Sequence, residues 1–142
     1  MKKFLLLLLA LVLMQVVTPA EAASKRSKSK QLEVSMFKYA SAIRWSEFEL
    51  ALSYIEPAYR EKNPLSDLDV ERYKQIQITG YTSKSQDYLP DGGVEQAIEI
   101  RLINRNTLAE RIITDVQVWR WDEKAKRWWL TTGLPDITPK RF

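Results

Sequence analysis

The 142-residue chain contains no cysteine and no histidine, and only four glycines. Without cysteine there is no disulfide, no thiolate nucleophile and no lipid-bearing residue of the bacterial lipoprotein kind, so stability must come from a packed core. Without histidine, Ser-His-Asp and Cys-His catalysis, histidine-ligated zinc and His-Asp acid/base pairs are excluded. Two of the four glycines stand together at Gly92-Gly93, which leaves no glycine-rich phosphate loop. The residues assign no catalytic group, metal ligand or cofactor. Acid/base work by a carboxylate pushed into an apolar pocket beside tyrosines stays open.

What is present begins with Lys2 and Lys3, followed by an apolar run from Phe4 to Val17 broken only by Gln15. That run suits a signal-peptide core and is short for a membrane span, which needs about 20 apolar residues. Pro19 is expected to break the helix, and Ala20 and Ala22 are the small residues a signal peptidase reads. Cleavage after Ala22 is therefore predicted, with a periplasmic or secreted product of 120 residues forming one domain.

That product carries 20 Lys+Arg and 17 Asp+Glu, but four of the bases fall in Ala23–Gln31 (ASKRSKSKQ). The remaining body is thus close to neutral, which argues against a nucleic-acid partner. The Ser/Lys segment 23–31 lacks apolar residues and is predicted to be a disordered tail. It would touch anionic surfaces or act only as a spacer.

From Leu32 to Tyr59 the apolar spacing is helical, with a change of phase between Ile43 and Phe48. Ser46 and Glu49 have capping-box spacing, and Trp45 and Leu50 that of a hydrophobic staple. A corner between two helices is predicted there, with Pro57 near the end of the second. Ser66 and Asp69 mark a short third helix. Asp67, Asp69 and Glu71 lack the spacing of a calcium loop and suit the first turn of that helix instead. Alternating segments then predict four strands, 74–88, 94–103, 108–121 and 127–132, joined by short turns. The fold class is α+β: a kinked helical pair and a short helix on a curved four-stranded antiparallel meander, over residues 32–142.

The helix corner Ala42-Ile43-Arg44-Trp45-Ser46-Glu47-Phe48-Glu49-Leu50-Ala51 and the last hairpin, Trp119-Arg120-Trp121 with Trp128-Trp129-Leu130-Thr131-Thr132-Gly133-Leu134-Pro135-Asp136, carry a resemblance. Their order along the chain resembles small proteobacterial envelope proteins with a nuclear-transport-factor-two-like fold. The resemblance implies a cone-shaped roll, a pocket between sheet and helices, and dimerisation through the open sheet face. It implies no particular reaction.

Arg44 and Glu47 are three residues apart toward the apolar arc of the helical wheel. They are candidates for a polar pair that orients a ligand, or for an ion pair that staples the corner. Trp119 and Trp121 must share a sheet face, whereas the adjacent Trp128 and Trp129 must take opposite faces. One indole is therefore expected on the face that the helices do not cover. A homodimer interface is the first expectation for it, single rings lying on Lys and Arg stems the second, and a ligand or partner platform the third. Arg120 and Arg127 are candidates for stacking on indoles. Arg44, Glu47, Trp119, Trp121, Trp128 and Trp129 are thus the candidate binding residues. The leading functional reading is a non-catalytic binding or accessory protein of the cell envelope, with an envelope protein or a small apolar molecule as partner. The alternatives are a small pocket enzyme using Glu47 with tyrosines or Arg44, and an assembly factor acting through the tryptophan face.

Overall fold

Among residues 18–139, which the computed structural model describes, Thr18 opens the first helix. Its side chain accepts from Glu21 N, Pro19 stands at the start, where a missing N–H is harmless, and Glu21 meets the positive end of the helix dipole. The helix, α1, runs from Pro19 to Arg44, about 39 Å at 1.5 Å per residue. Two expectations change here. Pro19 starts a helix instead of ending one, and Ala23–Gln31 is helical, not a disordered tail. The segment has few apolar residues of its own, but Leu32 is buried and Trp128 Nε1 donates to the Lys28 carbonyl at 2.8 Å. Docking on a hairpin a hundred residues away supplies what local composition lacks. The expected signal-peptide core, Phe4–Val17, lies outside the described residues.

The corner is present, by a different device from the one expected. Ser46 has φ +59, Glu47 N donates to Ala42 O at 2.8 Å, and Ser46 N donates to Ile43 O at 3.1 Å. These are the paired bonds of a Schellman helix end with serine at the left-handed position. A left-handed Ser46 cannot be the extended N-cap of the next helix. That place belongs to Glu47, which makes no side-chain cap. Trp45 and Leu50 remain exposed, so no staple forms. Ser46→Gly is expected to stabilise the fold by about 1 kcal/mol, since only the Cβ is strained; urea unfolding at one pH measures it.

Helix α2 covers Phe48–Leu52 and α3 covers Pro57–Lys62, with Pro57 beginning a helix where it was expected near the end of one. Helix α4, Asp67–Lys74, has the predicted capping box: Asp69 N donates to Ser66 Oγ and Ser66 N donates to Asp69 Oδ2.

Strands β1 (Ile76–Tyr88), β2 (Val94–Asn104), β3 (Glu110–Asp122) and β4 (Arg127–Leu130) form an antiparallel meander in the order β1-β2-β3-β4, not closed into a barrel. Register shifts at Ile78/Gly80 and Ser83/Ser85 place two irregularities in β1, the device by which a strand bends and twists. Alternation puts Val94, Ile98, Ile100, Trp119 and Leu130 on the inner face, where they meet Tyr39, Ala42, Ile43, Ala51 and Ile55. A short parallel bridge joins Ile55 to Leu130, with Leu130 N donating to Tyr54 O and Glu56 N to Leu130 O, so the α2–α3 link is stitched to β4. Residues 131–139 return across the far end, where Tyr73 Oη donates to Pro135 O and Arg111 to Ile137 O. The α+β class and its sheet order agree with the sequence reading.

Candidate functional site

The turn from β3 to β4 fixes the first part of the site. Asp122 Oδ1 accepts from Lys124 N and Ala125 N, and Lys126 takes φ +51 to close the turn. Trp121 and Trp128 are thereby the facing pair at the end of the hairpin, in edge-to-face contact at 5.8 Å. Helix α1 crosses above them. Lys28 lies 5.2 Å over the Trp121 ring and pairs with Glu123 at 2.7 Å. Glu123 ionises easily, its carboxyl pulled down to about 2 by hydrogen bonds from Lys126 and Lys28. Trp121 Nε1 also lies near this carboxylate, yet it is enclosed with no partner in hydrogen-bonding geometry.

The β1–β2 turn forms the opposite wall. Gly93 N donates to Asp91 Oδ1, and Arg120 pairs with Asp91 at 3.0 Å while also donating to Thr131 Oγ1. Between these walls lies a groove of about 650 Å³. Leu32, Tyr88, Trp121 and Trp128 give it an apolar floor, and Lys25, Lys28 and Arg120 set bases around it. Lys25 has no acidic partner among the described residues. Such a groove can hold a mostly apolar molecule by burial and a negative end by charge-assisted contacts.

The remaining candidates scatter. Trp119 is fully buried in edge-to-face contact with Tyr39 at 5.6 Å, a core residue. Trp129 takes the outer sheet face, as alternation requires. It is not left bare: the Arg127 guanidinium stacks 3.8 Å from its ring and Asp122 Oδ2 accepts from its Nε1. Arg120 pairs with Asp91 instead of stacking on an indole.

Arg44 and Glu47 do not pair. The Schellman turn between them sends Arg44 to the Tyr81 carbonyl at 2.9 Å and over the Tyr81 ring at 5.4 Å. Glu47 instead lines an apolar cleft of about 630 Å³ between α2 and α4, with Phe48, Leu52 and Val70. The tyrosine of that lining, Tyr73, has its hydroxyl committed to Pro135. The expected polar pair is therefore absent.

A different carboxylate meets the condition of burial beside tyrosines. Asp115 and Gln117 are in phase with Trp119 on β3, so both point inward. Gln117 Nε2 donates to Asp115 Oδ2 at 2.7 Å and to Tyr81 Oη at 3.0 Å; Gln117 Oε1 accepts from Gln96 Nε2 at 2.8 Å. Burial raises the Asp115 carboxyl to about 6, against the opposing pull of the Gln117 bond. Burial likewise raises Tyr81, to about 12, and Tyr39, with the Asp115 charge adding to both. The Tyr39 hydroxyl is buried without a partner. The chain Arg44–Tyr81–Gln117–Asp115 thus runs from the surface to the interior. Sequence reading passed over Asp115, although two polar residues at inward positions of an alternating strand were there to be noticed.

No family model matches the chain, and neither do any curated protein or solved structure.

Proposed function

We propose that the chain is a small non-catalytic binding module of the cell envelope, and that its groove between α1 and the two hairpin ends takes a largely apolar molecule with one anionic group. The observation that carries this reading is the joining of an aromatic floor, Trp121, Trp128 and Tyr88, to Lys25, a base with no acidic partner among the described residues, in a lining whose other bases, Lys28 and Arg120, pair with Glu123 and Asp91. We read the chain as cleaved after Ala22 and periplasmic, and its fold as a cone-shaped roll resembling the nuclear-transport-factor-two-like proteins. No helix among the described residues is long and apolar enough to cross a membrane. Ile112 and Val116, exposed on the outer sheet face, support pairing of two copies there.

Native mass spectrometry with dodecyl phosphate below its micelle concentration tests the groove. One adduct per chain is expected. Lys25→Glu combined with Tyr88→Ser should weaken it at least about tenfold without loss of folding, because both side chains are exposed. Unchanged affinity in that variant would remove the groove as the site. The same spectrum reads the dimer, and a monomer at every concentration would contradict it.

A second reading, acid/base chemistry on an apolar substrate, rests on Asp115 with Tyr81 and Gln117. It requires a substrate to reach a carboxylate that is nine-tenths covered.

A further inference from the structure

The groove uses the inward side of α1; the outward side is the less usual surface. Val34, Phe37, Ser41 and Trp45 recur at spacings of three and four, which makes one stripe along the helix. The opposite face, Leu32, Tyr39, Ala42 and Ile43, is buried in the core. Phe37 is 72% and Trp45 77% exposed, with Val34 at 44%. Water-exposed aromatics at this level call for a partner.

Charge says which partner. Lys30 and Lys38 stand within the stripe by helical position, Arg26 and Arg44 flank it, and all four are exposed. Beyond the first turn the helix has a single acid, Glu33, which falls on the flank at the stripe's edge. A second copy presenting the same stripe would set one basic stripe against another, and like charges at a self-complementary interface repel. The stripe is also a ridge on a convex helix surface. A protein partner would need a matching groove, whereas a lipid surface deforms around a ridge. Aromatic and aliphatic groups on one helix face, bordered by lysine and arginine, are the pattern of helices that lie in the headgroup layer of an anionic bilayer.

We infer that α1 docks the protein on an anionic lipid surface through Val34, Phe37 and Trp45, with Lys30, Lys38 and Arg26 on the headgroups. The inference is independent of the groove, since the two lie on opposite sides of α1.

The test is co-sedimentation of the purified protein with vesicles of phosphatidylcholine alone and of an equal mixture with phosphatidylglycerol. Its intact mass fixes the first residue, so that an uncleaved leader is not mistaken for the helix. Binding to the mixed vesicles is expected, at least about tenfold weaker on phosphatidylcholine and weakened again by high salt. Phe37→Ser with Trp45→Ser should abolish it and leave the melting temperature and dodecyl phosphate binding unchanged. Equal binding by this variant, equal binding to both vesicle types, or no binding by the parent protein would each overturn the inference. So would a dimer that the same double substitution dissolves, which would assign the stripe to a second copy.

Discussion

Asp115→Asn is expected to stabilise the protein by about 3 kcal/mol at pH 8, with the gain vanishing near pH 4. The carboxyl titrates near 3.8 when exposed and near 6 in the fold. Between those values the folded state holds a proton that the unfolded state has lost, so stability falls as pH rises through the window. Below the window, both forms are protonated and the full stability is present. Above it, a buried charge is accepted with a single hydrogen bond from Gln117. Asparagine keeps the shape and an acceptor for Gln117, and has no charge to lose. Urea unfolding of both proteins from pH 4 to pH 8 measures the difference. This is cleaner than either profile alone, because Asp69, Asp91 and Asp122 titrate low and pull the opposite way. A flat difference would mean that Asp115 reaches water more freely than its burial indicates. A stabilised variant that also loses a biological activity would show why the aspartate is kept, and would favour the acid/base reading.

Gly133→Ala should destabilise by about 2–3 kcal/mol. Gly133 has φ +82, and a Cβ there would stand 2.7 Å from Cε1 and Oη of Tyr59. Two effects add: a side chain in left-handed backbone and displacement of a ring packed against the core. A double-mutant cycle separates them. In a Tyr59→Ala background only the backbone part should remain, so the two changes should couple by about 1 kcal/mol or more. Additive effects would mean that Tyr59 swings aside without cost.

Strands β2 and β3 were legible because each carries a period of two over several residues, and the Ser66 capping box because its two residues act on each other alone. The tail was misread because its order comes from Lys28 and Leu32 meeting Trp121 and Trp128, and no local pattern encodes a contact at that distance. Ser46 shows a different limit. Ser-x-x-Glu spacing suits a capping box, but backbone handedness decides, and Ser46 is used to end one helix before it can begin another. That same turn parted Arg44 from Glu47. The candidate groove was half legible, in that Trp121 and Trp128 were named. Its other walls, Tyr88 and Lys25, come from segments that only the meander and the returning helix bring together.

The bond from Trp128 Nε1 to the Lys28 carbonyl spans almost the whole described chain. Leu32 and Tyr39 are covered only when β3 and β4 are in place. A growing chain therefore cannot complete its core until its last hairpin is made, and loop-closure entropy sets the pace of that final step. The N-terminal half of α1 should therefore gain its tertiary order late in synthesis. Loss of even the short β4 strand would release the N-terminal half of α1, whose Lys28 carbonyl it holds.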